Sequence, residues 1–247
     1  VVAGYPWFKC RARDMFISLP GLTITNGEVE KFENVMKTAE KAIREFMEGK
    51  PLSVNVYEIE HPDVLLWAVW CIQQYGKLNN METVYKKYGQ LVRDIMEWIH
   101  KGNHPGIQVH DNGLLYAPGG QERAITWMNS SSYGRPIVPR SGYIVEVNAL
   151  WYNCLMFCAE ISRYVKDDLA SEIIETAAAK AKQGFLDTFL NQHGYLLDYV
   201  DGQMMDWSVR PNMIFPVAFD YSPLDQKQKK TILDLCTKEL LTPKGLR

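Results

Sequence analysis

The stretch Asp63–Lys101, DVLLWAVWCIQQYGKLNNMETVYKKYGQLVRDIMEWIHK, contains two neighbouring helical patterns of different kinds. The first pattern, Asp63–Tyr75, is apolar almost all round, whereas the second, Asn80–Lys101, carries one apolar stripe and charges on its other faces. A helix that is apolar on every side is buried on every side, and an amphipathic helix buries only its stripe. The pair therefore predicts an inner helix that is covered by an outer helix.

The same alternation recurs later in the chain. Glu146–Val165 is apolar and aromatic, and the amphipathic segment Asp168–Leu190 contains a run of alanines that would allow close helix approach. Tyr195–Val200 predicts a short strand, and Leu241–Arg247 predicts a loop. Further helices are predicted at Arg13–Leu19, at Gly27–Glu48 with Asn26 as its cap, after Pro211, and at Ser222–Leu240. About eight helices in an inner and outer order predict an all-α fold of the α/α toroid type, without the fixed period of a solenoid.

Composition narrows the function classes. With 247 residues and 47% hydrophobic content the chain is globular, and a net charge of −2 without a basic run argues against nucleic acid as a partner. The most apolar segment, Val64–Ile72, is too short to span a membrane, and no signal peptide is recognisable. The chain starts at Val1 inside an aromatic motif, so we expect it to be a piece of a longer protein.

Cysteine and histidine spacing predicts neither disulfides nor a metal site. The five cysteines contain no CxxC, and the closest pair, Cys154 and Cys158, lies on the apolar inner helix Glu146–Val165. The five histidines show no HxxxH or HExxH spacing. Reduced thiols favour a cytoplasmic location. The oligomeric state is not specified by these patterns.

The long connection Asp111–Asn153, DNGLLYAPGGQERAITWMNSSSYGRPIVPRSGYIVEVNALWYN, is the predicted site. Connections of this length are functional or disordered, and this one is too aromatic to be disordered. Trp, Tyr, Asn, Arg and Glu suit a sugar, because aromatic faces contact the apolar C–H side of a pyranose while amides, guanidinium and carboxylate groups bond its hydroxyls. Structural packing of the aromatics is the alternative interpretation of the same residues.

Three motifs resemble the amylo-α-1,6-glucosidase domain of glycogen debranching enzymes, in its bacterial and archaeal form. The first is GYPWFKCRARDMFISLPGL at Gly4–Leu22. The second is DNGLLYAPGGQERAITWMN with VPRSGYIVEVNALWYN, within Asp111–Asn153. The third is GYLLDYVDG at Gly194–Gly202 with RPNMIF at Arg210–Phe215. The motifs keep the family's order and span nearly the whole chain.

The resemblance implies an (α/α)6 toroid of twelve helices with a sugar pocket at one end of the inner ring. Residues 1–247 would form part of a single catalytic domain whose last inner helices, with the second catalytic carboxylate, are missing from this chain. The implied activity is hydrolysis, with inversion, of the α-1,6-linked glucose at glycogen branch points. An inverting enzyme needs an acid and a base roughly 6.5–9.5 Å apart. No cofactor is implied.

One position departs from the family. Its Trp-Met-Asp, whose Asp resembles the proton donor, reads Trp127-Met128-Asn129 here. An amide cannot protonate a leaving group. Glu146 is the predicted replacement, because it opens an inner helix and would face the pocket, although an acid stabilised by the helix dipole is an equally good interpretation. Glu122, the nearest upstream acid, is a weaker candidate.

The candidate residues form two groups, and each also has a structural interpretation. Asp14 would hold glucose hydroxyls with Arg13, or the two would form a structural ion pair. Asp63 and Trp67 resemble the Asp and Trp of the family's inner helix, and a plain N-cap is the alternative interpretation of Asp63. The other tryptophans would be sugar platforms or core residues. The catalytic candidates are Glu146, Asn129 and Asp14. The substrate-binding candidates are Trp7, Arg13, Asp63, Trp67, Asp111, Trp127, Arg140, Asn148, Trp151 and Arg210.

Three function hypotheses remain beside debranching of an α-glucan. The first is a glycosidase of the same fold with another α-glucoside specificity, and the second is a glucan-binding protein that has lost hydrolysis. The third is a helical scaffold for protein partners, which the aromatic central connection disfavours. All but the scaffold predict a carbohydrate ligand.

Overall fold

The structure is a computed structural model that describes residues 9–53 and 55–247. The chain divides after Gly106 into two compact units, each with its own set of helices. The expectation that the whole chain belongs to one catalytic domain stays a prediction.

The first unit is built around a buried helix, α3. It contains α1 (Ala12–Leu22), α2 (Val29–Met47), α3 (Val64–Leu78), α4 (Met81–Val84) and α5 (Gln90–His100), with a π-helical turn at Tyr85–Gly89 between the last two. Every residue of α3 from Val64 to Val69 is buried, whereas α5 buries one stripe of five apolar residues. The predicted difference between an all-round buried helix and an amphipathic one is confirmed for this pair.

The start of α2 differs from the prediction. Asn26 does not cap it, because Asn26 ends a 3₁₀ turn and its side-chain amide donates to the carbonyl of Gly21 at 3.2 Å. Gly27 follows in the left-handed conformation with φ of 77°, so the helix begins two residues later with Glu28 at its N-cap. Glycine reaches this conformation without steric cost and thereby separates the turn from the helix.

The second unit contains a pair of long helices, α6 (Val145–Tyr164) and α7 (Asp168–Phe189), joined by a short loop. Ala178, Ala181 and Gly184 are buried on α7, as small residues at a close helix contact should be. The helix predicted after Pro211 is shorter than expected: a 3₁₀ turn, Pro211–Ile214, leads into α8 (Phe215–Ala218). The last helix, α9 (Gln226–Leu240), starts at a capping box made by Asp225 and Gln228.

Short strands in the second unit correct the all-α prediction. Five of them form an antiparallel sheet in the order β1-β2-β5-β6-β7. Two separate hairpins pair β3 with β4 and β8 with β9, the latter where a loop was predicted. The ranges are β1 (Gln108–Val109), β2 (Leu115–Ala117), β3 (Ser131–Ser132), β4 (Arg135–Pro136), β5 (Gly142–Ile144), β6 (Tyr199–Asp201), β7 (Met204–Met205), β8 (Leu241–Thr242) and β9 (Gly245–Leu246).

The observed fold is therefore mostly helical with small sheets. Most strands of the large sheet come from the central connection and from the motif after α7, so the sheet joins two of the stretches that carry the sequence motifs. The incomplete (α/α)6 toroid stays a prediction. Within the described residues, no helix combines the length and apolar character that a membrane span requires.

Candidate active site

A buried arginine, Arg140, holds two carboxylates inside the second unit. Its Nη1 and Nη2 atoms donate to Oε1 and Oε2 of Glu146 at 2.5 and 2.6 Å. Its Nε atom lies 2.9 Å from Oδ2 of Asp198. All three side chains are about 1% exposed. Bidentate contacts of this kind are the strongest arginine–carboxylate arrangement.

The sheet brings these three residues together. Arg140 precedes β5, Glu146 lies in the first turn of α6, and Asp198 precedes β6. Strands β5 and β6 pair antiparallel, and the amide of Val145 donates to the carbonyl of Asp198 at 3.2 Å. Strand pairing therefore fixes where the buried carboxylates meet the guanidinium.

Two glycines allow the backbone to approach this closely. Gly142 has φ of 82°, and a Cβ atom there would lie 2.3 Å from the carbonyl oxygen of Val200. A Cβ atom on Gly120 would lie 1.6 Å from the carbonyl oxygen of Arg140. No other residue type fits either position without moving the backbone around the site.

Two further residues complete what we call the Arg140 cluster: Arg140, Glu146, Asp198, Arg210 and Asn212. The Nε atom of Arg210 lies 3.2 Å from Oδ2 of Asp198. The side-chain amide of Asn212 donates to Oδ1 of Asp198 at 2.6 Å. The cluster thus contains two guanidinium groups and two carboxyl groups, and Asn212 is fully buried beside them.

Asn212 also connects the cluster to the surface. Its Oδ1 atom accepts a hydrogen bond from Nε1 of Trp127 at 2.8 Å, and Trp127 is 40% exposed. The amide of Asn212 also contacts the sulfur of Met128 at 3.2 Å. Asn129 follows and is exposed, with its backbone N–H donating to the carbonyl of Trp127. The Trp-Met-Asn segment is therefore held in place by the cluster while its indole and Asn129 face solvent.

The charges in the cluster shift two pKa values. Burial raises the pKa of Asp198 to about 6, with Arg140 opposing and the neighbouring charge of Glu146 adding to the rise. Burial disfavours the charged form of Arg140, but its contacts with Glu146 and Asp198 outweigh that cost and raise the pKa of the guanidinium. Arg140 is thus a permanent cation, whereas Asp198 keeps its proton to a higher pH than an ordinary aspartate does.

The sequence motifs contain Asp198 and Asn212, but the residue types alone did not single them out. A signal was present for Asp198, since it is the one charged residue in the predicted strand Tyr195–Val200. A lone carboxylate in an apolar strand needs a buried partner. Asn212, in contrast, follows a proline at a helix start, where an amide is usually a cap, so its contact with Trp127 was not foreseeable.

Three other candidates in this unit lie outside the Arg140 cluster. Asn148 accepts from the amide of Leu115 at 2.7 Å and donates to the carbonyl of the same residue at 3.0 Å. Trp151 is 1% exposed and donates to the carbonyl of Gly113 at 3.2 Å. Asp111 is exposed in the turn between β1 and β2. In this structure Asn148 and Trp151 bond the backbone around β2, and substrate contact by any of the three stays a prediction.

The first unit has its own buried arginine, Arg13. Its Nε and Nη2 atoms donate to Oδ2 and Oδ1 of Asp63 at 2.7 and 2.8 Å. Nε1 of Trp67 donates to Asp63 at 3.1 Å, and Nδ1 of His61 lies 3.0 Å from Nη2 of Arg13. Burial and the charge of Arg13 lower the pKa of His61. We call Arg13, His61, Asp63 and Trp67 the Arg13 cluster.

This cluster changes the predicted pairing of Arg13. The carboxylate that it holds belongs to Asp63 and not to Asp14, which is exposed in the first turn of α1. Asp63 stands at the N-cap of α3 but makes no capping bond, because its side chain is turned towards Arg13. Trp7 lies outside the described residues.

Glu146 is the buried carboxyl group for which the sequence predicts the acid role. Both oxygens of Glu146 accept from Arg140, so in this arrangement Glu146 is an ionised acceptor and has no proton to donate. The acid role predicted for Glu146 requires Arg140 to release one of the two carboxylate oxygens.

Within residues 9–53 and 55–247, no group of three or more His, Cys, Asp or Glu side chains is placed to hold a metal ion.

Comparison with known proteins identifies the family. A search of curated protein sequences finds no match. A scan against protein-family models finds the amylo-alpha-1,6-glucosidase family, whose model matches residues 1–247. The match covers the three motifs and both clusters, so it does not depend on one short segment. The chain therefore belongs to the amylo-alpha-1,6-glucosidase family, a family of glycosidase-related proteins.

Proposed function

We propose that the protein containing this chain hydrolyses α-1,6-linked glucose at the branch points of a glycogen-like α-glucan, with inversion. The observation that carries the proposal is Trp127, a half-exposed indole fixed by Asn212, which in turn bonds the buried Asp198. An indole held in place offers its face to a pyranose at little entropic cost. The family membership supports a carbohydrate substrate.

In the proposed mechanism the Arg140 cluster positions the sugar platform. Asp198, held by Arg140 and Arg210, orients Asn212, and Asn212 orients Trp127. Glu146 is the proposed acid: once one of its oxygens is free of Arg140 and has taken up a proton from solvent, it would pass that proton to the glycosidic oxygen of the leaving glucan. A second carboxylate would activate water on the opposite face of the sugar, as inversion requires. The proposed setting is cytoplasmic, which is supported by five free cysteines, four of them buried.

Asn129 favours a second candidate, a glucan-binding protein without hydrolytic activity. The residue is exposed beside Trp127, at the position where the family motif resembles a proton donor. Its amide cannot supply a proton, while the aromatic platform would still bind sugar. A glycosidase with another α-glucoside specificity is the other alternative.

Glucose release from a glycogen limit dextrin by the full-length protein tests the proposal. Wild type is compared with Glu146→Gln and Asn129→Asp, and circular dichroism checks that each variant is folded. We expect activity in wild type and a loss of at least about a hundredfold in folded Glu146→Gln, since general acid catalysis contributes about that much. Substrates with α-1,4 and α,α-1,1 linkages, run alongside, identify another specificity.

The other outcomes separate the alternatives. An inactive wild type that binds glucan and gains activity on Asn129→Asp supports the binding protein. Full activity in folded Glu146→Gln removes Glu146 from the mechanism. A wild type with neither activity nor sugar affinity overturns both candidate functions.

A further inference from the structure

Three aromatic side chains form a second cluster on the surface of the second unit. The rings of His193 and Tyr195 lie nearly parallel, at 18°, with centroids 6.2 Å apart. The ring of Trp207 meets His193 edge-on, with centroids 6.3 Å apart. Trp207 is 43% exposed, His193 is exposed and Tyr195 is half-buried. We call these three residues the aromatic shelf.

Local hydrogen bonds hold the shelf in place. Tyr195 donates its hydroxyl to the carbonyl of Trp207 at 3.3 Å, which ties the two segments together. The side-chain oxygen of Asn191 accepts from the backbone N–H of His193 at 2.9 Å, and the backbone N–H of Asn191 donates to the carbonyl of Tyr195. Gly194 supplies the positive φ of 80° that the turn between them needs. Rings fixed in this way lose little freedom when a ligand covers them.

Ion pairs and hydrogen bonds connect the shelf to the candidate active site. Asp206, the residue before Trp207, has its carboxylate 3.3 Å from Nη2 of Arg210. Arg210 also contacts Asp198, and the backbone amide of Asp198 donates to the carbonyl of Asp206 at 2.9 Å. The same buried carboxyl group, Asp198, is therefore linked through Asn212 to Trp127 and through Arg210 and Asp206 to the shelf.

Polar groups surround the exposed rings. Half-buried Asp206 offers a carboxylate, the amide of Gln192 lies 3.5 Å from the His193 ring nitrogen, and the indole N–H of Trp207 has no hydrogen-bond partner in the part of the chain that the structure describes. An apolar ring face with donors and acceptors at its edge matches a pyranose, whose C–H face is apolar and whose rim carries hydroxyls.

We propose that the aromatic shelf is a binding subsite for glucose units of the α-glucan chain that lie away from the bond being cleaved. The proposal rests on the proposed function and adds to it a preference for long chains over short ones. The aromatic shelf would bind the α-glucan away from the reacting bond, while Trp127 contacts the sugar at the reacting end. Trp207 supplies the main contact because it is the largest ring of the three and is exposed.

The test compares Trp207→Ala with a matched control in the full-length protein. Tyr164→Ala serves as the control, because Tyr164 is an aromatic residue of similar exposure, 44%, at the end of α6. It lies beside the start of α7 whereas the shelf follows its end, and a helix of 22 residues is roughly 33 Å long. Dissociation constants for maltoheptaose and maltose are measured by titration calorimetry, together with kcat and KM on limit dextrin.

We expect Trp207→Ala to weaken maltoheptaose binding about five- to tenfold and to raise KM by a similar factor. Maltose affinity and kcat should change less than twofold, and Trp207→Tyr should recover most of the loss. Tyr164→Ala should bind both sugars as wild type does.

Several results would overturn the subsite. One is wild-type affinity for maltoheptaose in folded Trp207→Ala. Another is an equal loss for maltose and maltoheptaose, which would mean that the change has disturbed the Arg140 cluster instead. If wild type binds neither sugar, the proposed function fails and the subsite fails with it. If wild type binds both sugars, and Trp207→Ala binds them as Tyr164→Ala does, the proposed function stands without the subsite.

Discussion

The two units each bury an arginine that holds carboxylate in bidentate contact, but the surroundings of the two arginines differ. Arg13 pairs with Asp63, and Trp67 donates to the same carboxylate while being only 3% exposed. Arg140 is shared between Glu146 and Asp198, and Asp198 is linked through Asn212 to an indole that is 40% exposed. In the first unit the tryptophan next to the ion pair is buried with it, whereas in the second unit hydrogen bonds connect the ion pair to an exposed tryptophan.

From this difference we predict that the Arg140 cluster, and not the Arg13 cluster, serves the function. Burying a pair of opposite charges rarely adds net stability, because both ions lose their hydration. In the Arg140 cluster the cost is higher, since a second carboxyl group is buried there with a pKa raised to about 6. A costly arrangement that is coupled to an exposed aromatic is typical of a ligand site. The Arg13 cluster is expected to serve mainly to join α1 to α3.

Removing each arginine should produce the largest effects and separate the clusters. Arg140→Met leaves two buried carboxyl groups with one remaining guanidinium, Arg210, which contacts Asp198, so we expect a loss of about 4–5 kcal/mol in the free energy of unfolding, or no folded protein. Arg13→Met leaves one carboxylate that still accepts from Trp67, and we expect about 3 kcal/mol. Urea unfolding of the full-length variants, followed by circular dichroism, measures both.

Equal losses of stability in the two variants would mean that the second carboxyl group does not increase the contribution of Arg140 to the free energy of unfolding. A gain in stability for Arg140→Met would show that the cluster is replaceable by apolar packing, as some buried ion pairs are.

Titration of Asp198 should make the stability of the Arg140 cluster sensitive to pH. Its carboxyl pKa rises from 3.8 to about 6 on folding, because burial outweighs the attraction of Arg140 and Arg210, and Glu146 adds repulsion. The unfolded chain therefore loses the proton first as pH rises. Stability from this group is fully present below about pH 4 and falls by up to about 3 kcal/mol as pH rises to about 6.

The measurement is the free energy of unfolding of wild type minus that of Asp198→Asn, taken from pH 3.5 to 7.5. We expect the difference to fall with rising pH up to about 6 and to stay level above it. A difference that is constant, or that increases with pH, would contradict a raised pKa for Asp198.

Breaking the connection to the surface should have an intermediate effect. Asn212→Ala removes the hydrogen bonds to Asp198 and to Trp127, one of them to a charged group, so we expect a loss of about 2 kcal/mol in stability. Because the indole is then free to reorient, maltose affinity should fall about fivefold. Titration calorimetry on the folded variant measures it. Unchanged affinity would mean that Trp127 does not need Asn212 to bind sugar.

The sequence predicted the helices of this fold better than its sites, for physical reasons. A helix such as α3 is fifteen residues long and buries ten of them, whereas the strands of the large sheet are two or three residues long and too short to show an alternating pattern. The sheet was therefore missed, although it brings the Arg140 cluster together. Partners were missed because they are far apart in the sequence: Arg13 pairs with a residue 50 positions away and Arg140 with one 58 positions away.

Chemistry that is unusual for its position is a better guide to a buried residue than adjacency in sequence. Glu146 is an acid at the start of an apolar helix, and it is fully buried beside Arg140, while its acid role stays a prediction. Asp14 was singled out with Arg13 because the two are adjacent, but successive residues of a helix point in different directions, and Asp14 faces solvent. Adjacency in sequence was thus the weaker guide.

Replacing the two tryptophans should have the smallest effects on stability, and these effects bear most directly on the comparison between the Arg13 cluster and the Arg140 cluster. Trp67→Phe and Trp127→Phe each keep an aromatic ring and delete one indole N–H donor, to Asp63 in the first unit and to Asn212 in the second. Trp67 is buried, so its loss leaves part of a charged acceptor unsatisfied and should cost about 1–2 kcal/mol. Trp127 is half-exposed, and water can replace its bond, so the loss should stay within about 0.5 kcal/mol. Urea unfolding under one set of conditions compares the pair. If Trp127→Phe costs as much as Trp67→Phe, then the indole of Trp127 is part of the packed structure and its exposed face is incidental; if it costs much less, the bond to Asn212 serves to orient that face.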